Sequence, residues 1–330
     1  MKEYTASAND RERRVDAFMQ KAAPDLPPSL LYKAFRKKDI KVNGKPVKQD
    51  YRLQAGDTIR AYLPEDVLAP PQYQYDFMKA GRELRVLYED ERLLVAYKPS
   101  GLLSHPDGTE YADTLLSRLQ RYLYEKGEYH PQAENAFAPA LCHRIDRNTE
   151  GIVLCAKTAE ALRETAAAIK ARQVRKFYLC AVYADRSESQ LLMDWNCLTA
   201  DDWQTVTHYL LKDEKSSEVC VYDNPKPGAK EAVTSYRVLA RRSDGIALLM
   251  VELHTGRTHQ IRAQLSAIGL PLVGDGKYAP RAVYQESRRL GYKNQCLCAF
   301  RLVWGELDIQ IPPHEIAFVR ELFPKNEKHP

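Results

Sequence analysis

The most constraining feature of this 330-residue chain is a polar turn that runs directly into an apolar stretch. Residues 143–151 read His-Arg-Ile-Asp-Arg-Asn-Thr-Glu-Gly, and the apolar run 152–156 follows at once. The turn therefore reads as the entry to a strand. Arg144 and Arg147 flank Asp146, so they would favour its charged form. Their two guanidinium groups could also donate paired hydrogen bonds to phosphate oxygens. The pattern indicates chemistry on a nucleic acid; the simpler alternative is a strand-entry turn with a surface ion pair.

Composition limits the class of protein. At 44% hydrophobic residues, the chain is long enough for two domains, one of them with a large core. No apolar run approaches the roughly 20 residues that a membrane span needs. Residues 1–7 lack the apolar stretch of a secretory signal. We therefore expect a cytoplasmic protein that does not enter a membrane.

The cysteines and histidines give no metal-binding pattern. The seven cysteines are scattered without a Cys-x-x-Cys pair, which is typical of reduced packing cysteines in a cytoplasm. His254 and His259 are five residues apart across a predicted strand-to-helix junction, so they would not share a helix face. Neither a metal site nor a Gly-x-Ser-x-Gly nucleophile elbow is expected.

The positive charge is concentrated at the N-terminus. Residues 1–62 hold 14 lysines and arginines against 8 acidic residues, a formal charge of +6, whereas the whole chain carries +5. Residues 11–62 read as a compact module with two short helices, an Asn43-Gly44 hairpin turn and a final strand. A basic module indicates a polyanionic partner, and a solvated surface on an accessory domain is the alternative. The residues expected to contact phosphate are Arg36, Lys37, Lys38 and Lys41.

A linker at 63–82 separates this module from a larger unit at 83–325. Pro64, Pro70 and Pro71 break regular structure in the linker, and its aromatic residues Tyr73, Tyr75 and Phe77 are expected to pack on a neighbour. The segment 184–230 is predicted to be irregular. The predicted elements of the larger unit are strands at 86–88, 93–97 and 176–183, a helix at 159–172 capped by Thr158, and a hairpin of 233–240 with 246–253.

A second charged motif occupies residues 254–266. Thr258 is a good helix N-cap, and Ile261, Leu265 and Ile268 then form one apolar stripe. Arg262 lies at the border of that stripe, where it could reach into a cleft near the core. Arg257 precedes the helix, where backbone N–H groups already favour an anion. The alternative is a helix stacked on a core with a solvated basic face.

Taken together, these motifs resemble those of the RluA-type RNA pseudouridine synthases. The resemblance spans nearly the whole chain in order, with departures at Ile145, Asn148 and Glu150. The N-terminal module resembles the S-four-like RNA-binding domain through its "V-N-G-K" hairpin and its "L-x-A-G-D-x-I" ending. The matching motifs of the larger unit are "K-P-S-G" at 98–101, "H-R-I-D-R-N-T-E-G" at 143–151, "K-F-Y-L-C-A-V" at 176–182, "H-T-G-R-T-H-Q-I-R" at 254–262 and "P-L-V-G-D-G-K-Y" at 271–278.

This resemblance implies an α+β fold and a set of residue roles. The fold would be a mixed, largely antiparallel sheet flanked by helices, preceded by the small basic α/β domain. Asp146 would be the essential aspartate, which either attacks the anomeric carbon or abstracts a ribose proton. Arg262 would pair with it, and Tyr178 would stack on the target base and handle the proton at carbon 5. The residues expected to meet RNA in this unit are Arg144, which would help to expel the uridine, and Arg147, Arg257 and His259.

The reaction implied by the resemblance needs no cofactor or metal. It would convert uridine to pseudouridine in structured RNA, and 23S ribosomal RNA is the favoured substrate and partner, with the protein as a monomer. The same chemistry on tRNA is one alternative. A catalytically silent RNA-binding or ribosome-assembly factor is another, since it would need the basic residues but not Asp146 or Tyr178. A nuclease or glycosylase is a third, which the release of a fragment or of free uracil would reveal.

Overall fold

The computed structural model describes residues 1–23, 25–68, 75–108, 110–131, 137–184, 202–213 and 218–324. Within these residues the chain forms two sheets, one of four strands and one of eleven. None of the described helices has the length and apolarity that a membrane crossing requires.

The four-stranded sheet and its helices form the N-terminal module. The strand order is β1-β4-β2-β3, and all neighbours are antiparallel. Strand β1 lies ahead of residue 11, so the predicted bounds omitted it; its short polar sequence gives no strand signal until it pairs with β4. The elements are β1 (Lys2–Thr5), α1 (Val15–Ala22), α2 (Pro28–Lys37), β2 (Ile40–Val42), β3 (Lys45–Pro46), β4 (Thr58–Ala61) and the short helix α3 (Glu65–Leu68).

Local sequence signals account for most of this module. Phe18 on α1 and Leu31 on α2 are fully buried, as the helical spacing predicts. Asn43 and Gly44 have φ values of 50° and 78°, so the hairpin turn has the left-handed backbone expected of type I′. Helix α2 ends at Lys38, which caps it in a left-handed conformation and leaves its basic end exposed.

The large sheet confirms the predicted α+β class with a mixed, largely antiparallel sheet. Its order is β11-β10-β12-β13-β9-β14-β8-β6-β5, with β15 paired to β14 and β7 to β8. Of these pairs, only β14 with β8 is parallel in the described residues. The strands are β5 (Arg85–Glu89), β6 (Leu93–Lys98), β7 (Ala140–Leu141), β8 (Glu150–Ala156), β9 (Arg175–Tyr183), β10 (Gln204–Lys212), β11 (Val219–Tyr222), β12 (Lys230–Arg241), β13 (Ile246–Leu253), β14 (Leu297–Trp304) and β15 (Leu307–Gln310).

Alternation along β9 gives the large sheet two apolar faces. Tyr178 and Cys180 point to the face that we call the front, and Phe177 and Leu179 point to the back, as the period of two predicts. Apolar residues of α4 and α6 pack on the front, and those of α5 and α8 on the back. The helices of this unit are α4 (Leu115–Glu125), α5 (Ala159–Lys170), α6 (Gln260–Ala267), α7 (Arg281–Arg289) and α8 (Ala317–Leu322).

The prediction that 184–230 is irregular is wrong for its described part. Strands β10 and β11 lie there and extend the sheet beyond β12. Buried and more exposed positions do alternate in the second half of β10, but the fully exposed positions of the strand are polar. A half-buried strand of this kind gives a weaker sequence signal than the continuous apolar run of a core strand. Residues 185–201 and 214–217 lie outside the described part.

The linker aromatics pack as predicted where they are described. Tyr75 and Phe77 stack with ring centroids 5.2 Å apart, and Phe77 lies 5.7 Å from the Tyr124 ring on α4. Tyr73, Pro70 and Pro71 lie outside the described residues. The aromatic pair therefore fixes the start of the large unit against α4.

One glycine sets the distance between β8 and the strand beside it. Gly151 has φ +121°, and a Cβ at this position would overlap the backbone of Ala299 on β14. A side chain would therefore force apart the only described parallel pair of the sheet. The glycine ties the loop in front of β8 closely to β14, which neighbours β9 and its Tyr178.

Candidate active site

Asp146 lies in the loop between β7 and β8, and hydrogen bonds hold that loop on both sides of it. Ser104 Oγ donates to the carbonyl of Ile145 at 2.8 Å and accepts from the N–H of Ile145 at 3.3 Å. The N–H of Thr149 donates to the carbonyl of Asp146 at 3.1 Å. The Ile145 side chain is buried on the front face, whereas that of Asp146 is 25% exposed. The loop thus presents a carboxylate that a substrate can reach.

A buried lysine at the end of β6 anchors the same loop. Lys98 is fully buried, and its Nζ donates to the carbonyls of Pro99, Leu102 and Arg147 at 3.0, 2.7 and 2.8 Å. Three acceptors match the three donors of an ammonium group. Burial nevertheless lowers the pKa of Lys98 to about 7, although the charges of Asp146 and Glu150 act to raise it. Lys98 therefore fastens the backbone next to Asp146 to the "K-P-S-G" turn.

Arg262 joins two carboxylates through one guanidinium. Its Nε and Nη2 donate to the two oxygens of Asp275 at 2.7 and 2.9 Å, and its Nη1 donates to Asp146 Oδ2 at 3.0 Å. Asp275 follows α6 in the chain and is 1% exposed, and the Arg262 side chain is 9% exposed. The bidentate pair with Asp275 fixes the plane of the guanidinium, so Nη1 points to Asp146.

The two buried partners stabilise each other's charge. Burial alone would lower the pKa of Arg262, but the hydrogen bonds and charge of Asp275, and then the charge of Asp146, raise it above its usual value. Burial would likewise raise the pKa of Asp275, but the contacts with Arg262 lower it. Both groups are therefore charged at neutral pH, and Arg262 is a permanent cation beside Asp146. The predicted pairing of Arg262 with Asp146 is present in the structure.

His259 and Tyr278 lie beside this pair. His259 Nε2 is 3.9 Å from Asp146 Oδ2, and its Nδ1 is 2.7 Å from the hydroxyl of Tyr278. The Tyr278 ring lies 5.2 Å from the Arg262 guanidinium carbon, within the range of a cation–π contact. Asp146 Oδ2 thus meets two basic side chains, whereas Oδ1 has no hydrogen-bond partner among the described residues.

Tyr178 is 6% exposed on the front face of β9. Burial, and then the negative charge of Asp146, raise the pKa of Tyr178 above its usual value. Its hydroxyl therefore stays protonated at neutral pH. A protonated phenol suits stacking and hydrogen bonding better than proton abstraction.

The expectation that Arg144 and Arg147 hold Asp146 in its charged form is wrong. Neither arginine lies within ion-pair distance of Asp146 in the described residues, where Arg262 forms the ion pair and His259 lies 3.9 Å from the same carboxylate oxygen. Both arginines are exposed, whereas Ile145 between them is buried. Arg147 Nε donates to the carbonyl of Gly101 at 3.1 Å, and the charge of Arg144 reaches His105. Their positions beside the carboxylate leave them open to a phosphate backbone.

Helix α6 does not begin as predicted. It starts at Gln260 with His259 as N-cap, in a left-handed conformation with φ 54°, and not at Thr258. The Gln260 side chain reaches back and accepts from the N–H of Arg257 at 3.0 Å, so it satisfies a backbone donor ahead of the helix, while no side chain caps the first turn. Arg257 is exposed, and its Nε donates to the carbonyl of Glu231 at 2.9 Å. Because α6 begins at Gln260, the side chain of His259 points toward Asp146 and not into solvent.

The predicted basic residues of the N-terminal module lie on its surface. Arg36, Lys37 and Lys38 are exposed at the end of α2, and no ion pair involves them in the described part of the chain. Lys41 is half-buried on β2, with its Nζ 5.1 Å above the ring of the exposed Tyr62. The four cations are thus available to an anionic partner.

Other histidines have structural partners. His254 Nε2 is 2.7 Å from Ser235 Oγ, and His143 Nε2 accepts from the N–H of Leu154 at 3.2 Å. Burial lowers the pKa of His143 to about 3, so this side chain stays neutral. No group of three or more possible metal ligands occurs among the described residues.

Sequence reasoning missed three residues of the site: Lys98, Asp275 and Tyr278. All three fall within motifs quoted for the resemblance, yet neither spacing nor periodicity assigns them a role. One signal was available. An aspartate in the apolar setting of "P-L-V-G-D-G-K-Y" must find a cation when it is buried, and Arg262 was the nearest candidate on the preceding helix.

The chain is similar to known proteins over most of its length. A family model described as "RNA pseudouridylate synthase" matches residues 92–267. "Ribosomal large subunit pseudouridine synthase C" of Vibrio cholerae is 33% identical over 275 residues, which cover 82% of this chain and 78% of that protein. "Uncharacterized RNA pseudouridine synthase YlyB" of Bacillus subtilis is 29% identical over 283 residues, covering 84% and 83%.

Two solved structures share the fold. "Human RNA Pseudouridylate Synthase Domain Containing 1" superposes with a TM-score of 0.52 at 21% identity, over 73% of this chain and 86% of that one. "Human RNA Pseudouridylate Synthase Domain Containing 4" gives 0.51 at 20% identity, over 72% and 92%.

The burial of Lys98 predicts a pH-dependent stability. Lys98→Met leaves three carbonyls without their donor, so we expect the free energy of unfolding to fall by about 2 kcal/mol. An unfolded lysine titrates near pH 10.4, so between about pH 7 and 10 the unfolded wild type binds more protons than the folded one. The wild type should therefore gain stability over Lys98→Met as the pH rises through this range.

Urea unfolding at several pH values, followed by tryptophan fluorescence, measures this difference. All three tryptophans, Trp195, Trp203 and Trp304, lie in the larger unit. The exposed Lys170→Met on α5 is the matched control and should stay within about 0.5 kcal/mol of wild type. A stability difference between wild type and Lys98→Met that does not change with pH would contradict the assignment.

Proposed function

The chain belongs to the RNA pseudouridylate synthase family and is an RNA pseudouridine synthase, an isomerase, and on this premise we propose that it acts on specific uridines of 23S ribosomal RNA. Several relatives that are at least 32% identical are named as ribosomal large subunit synthases, which supports this substrate. Such a substrate would place the protein in the cytoplasm. The same chemistry on tRNA remains the alternative.

The observation that carries the proposal is the state of Asp146. Its carboxylate pairs with the permanently charged Arg262 yet stays 25% exposed. Both basic partners approach Oδ2, which leaves Oδ1 for the substrate. A carboxylate used only for structure would be expected to satisfy both oxygens within the protein.

The reaction itself is an isomerisation. The bond between N1 of uracil and C1′ of ribose breaks, the base turns, and a bond forms between C5 and C1′. N1 gains a proton and C5 loses one, so product and substrate have the same atoms and the same oxidation state. The chemistry therefore consumes no co-substrate, and no cofactor is proposed.

We propose that Asp146 starts this exchange through Oδ1. It would either attack C1′ or remove a ribose proton, and an ionised carboxylate serves both routes. Arg262 keeps the carboxylate in place while negative charge leaves or returns to it. Tyr178, a buried ring on the front face of β9, would stack on the turned-out base and hydrogen-bond it through its protonated hydroxyl.

The exposed arginines around Asp146 would hold the RNA. The target uridine must leave its stack to reach the carboxylate, at a cost of a few kcal/mol. Arg144 would replace the stacking contacts that the uridine loses. Arg147 and Arg257 would bind flanking phosphates. The S-four-like N-terminal module would bind the same RNA farther away, through Arg36, Lys37, Lys38 and Lys41.

Asp146→Asn tests the activity. The amide has nearly the shape of the carboxylate but cannot be a nucleophile or base, so pseudouridine formation should fall by at least roughly a thousandfold. RNA affinity should stay near wild type, because the arginines are untouched. The readout is carbodiimide mapping of pseudouridine in 23S rRNA. The RNA comes from a deletion strain complemented with the wild-type gene or with the gene for Asp146→Asn.

Three outcomes separate the alternatives. Restoration of the same modified sites by Asp146→Asn would contradict the role of the carboxylate. Absence of any missing pseudouridine in the deletion strain would favour a silent RNA-binding factor. Pseudouridine missing only from tRNA would keep the chemistry and change the substrate.

A second prediction concerns RNA binding by the N-terminal module. Replacing Arg36, Lys37, Lys38 and Lys41 by Gln should weaken binding and flatten the plot of log affinity against log salt by about 0.7 to 0.9 per lost phosphate contact. The matched control removes four exposed cations near the back face, Arg163, Lys170, Arg172 and Arg320, and should keep the wild-type slope. Filter binding over a salt series measures both variants. Equal slopes for the two would show that α2 and β2 do not contact RNA.

A further inference from the structure

The hydroxyl of Tyr278 lies between two nitrogens of different character. The N–H of Val219, at the start of β11, points to Tyr278 Oη at 3.1 Å, and His259 Nδ1 lies 2.7 Å from the same oxygen. A backbone N–H can only donate, so the tyrosine oxygen accepts there. The proton of the tyrosine is then free to be donated to His259 Nδ1.

This arrangement selects one tautomer of His259. A neutral imidazole has one protonated nitrogen and one acceptor nitrogen. Nε2 faces the carboxylate oxygen Asp146 Oδ2, which can only accept, so the proton is favoured on Nε2 and Nδ1 then accepts from the Tyr278 hydroxyl. The proton therefore sits on Nε2, which faces Asp146 Oδ2 at 3.9 Å. At that distance the contact is longer than a hydrogen bond, and the N–H dipole points its positive end toward the carboxylate.

The charge states of both side chains agree with this reading. Burial raises the pKa of Tyr278 to about 12, so its hydroxyl keeps the proton that it donates. Burial lowers the pKa of His259, and Arg262 and Lys277 lower it further, while Asp146 and Asp275 oppose them. His259 is therefore neutral at pH 7. The groups that face it are Asp146, Arg262, Asp275, Lys277 and Tyr278.

Tyr278 is itself held firmly. Its N–H donates to Asp275 Oδ1 at 3.2 Å, and its carbonyl accepts from Ser266 Oγ on α6 at 2.6 Å. Asp275 is also the bidentate partner of Arg262. One buried aspartate thus orients both basic groups that approach Asp146 Oδ2.

We propose that Tyr278 and His259 form a positioning relay, in which Tyr278 fixes the histidine tautomer so that its Nε2–H holds Asp146 Oδ2 and leaves Oδ1 to the substrate. His259 then acts on the protein's own carboxylate and does not serve as an RNA contact. Strand β11 supports the relay through its backbone alone. The effect on catalysis rests on the proposed role of Asp146, but the tautomer does not.

The tautomer can be measured in the free protein. Long-range ¹H–¹⁵N correlation spectra of ¹⁵N-histidine-labelled protein at pH 7.5 should show His259 with Nε2 protonated and Nδ1 unprotonated. The spectrum of His259→Asn assigns the signal, and Asn suits the left-handed backbone of this position. Tyr278→Phe keeps the ring but should give a mixture of tautomers. Protonated Nδ1 in the wild type would overturn the relay, whatever the activity of the enzyme.

The effect on catalysis is measured by single-turnover pseudouridine formation at saturating RNA. Tyr278→Phe and His259→Asn should each slow this step by roughly 10- to 100-fold, because the carboxylate is less well aimed, with an unchanged Kd for RNA. The double variant should be no slower than His259→Asn, since the tyrosine acts through the histidine. Tyr284→Phe, which loses a hydroxyl outside the relay, is the control and should match wild type.

Each other outcome has a definite meaning. Multiplying defects in the double variant, or a weaker Kd with an unchanged rate, would overturn the relay and favour His259 as an RNA contact. Lack of pseudouridine formation by the wild type, alongside the expected tautomer, would contradict the proposed substrate and leave the relay standing.

Discussion

The site depends on the division of one guanidinium between two carboxylates. Arg262 gives its Nε and Nη2 edge to Asp275 and its Nη1 to Asp146. The bidentate side is buried and fixed, and the single bond reaches a carboxylate that is partly open to solvent. A buried arginine is costly unless its donors are satisfied, so Asp275 is what allows Arg262 to lie under the reactive group. The rest of the fold brings these three side chains together.

That assembly explains the position of each element around it. Helix α6 carries Arg262 on the front face, and the turn after it carries Asp275 and Tyr278. The loop before β8 carries Asp146 and is fastened by Lys98 from the neighbouring strand β6. Gly151 keeps β8 close to β14 and so to Tyr178 on β9. The residues around Asp146 thus belong to the large unit, while the net positive charge is concentrated in the small one.

Local elements could be predicted from sequence where one signal dominates. Thr158 caps α5 as expected and accepts from the N–H of Ala161 at 3.1 Å. Thr258 offers the same residue type but does not cap α6, because the helix begins one residue later, with His259 in the N-cap position. Strand β10 was missed because half-buried alternation is weak in a polar segment. Strand β10 depends on its pairing with β12, which lies farther along the chain.

Long-range partners were predicted only where the resemblance supplied them. Asp146 and Arg262 are 116 residues apart, and no periodicity joins them. Arg144 and Arg147 are near in sequence and were assigned to Asp146 for that reason, yet both turn to solvent. Proximity along the chain misled here because a turn separates neighbouring side chains, while the sheet brings distant ones together.

Arg262→Lys tests this account most directly. Lysine keeps the charge but lacks the planar guanidinium with its several N–H donors. It therefore cannot bind the two oxygens of Asp275 and the Oδ2 of Asp146 at the same time. Single-turnover formation of pseudouridine should fall by roughly a hundredfold with an unchanged Kd for RNA. Arg242→Lys, at another bidentate arginine–aspartate pair in the β12–β13 turn, should keep the wild-type rate. A wild-type rate in Arg262→Lys would show that charge alone suffices and would contradict the shared guanidinium.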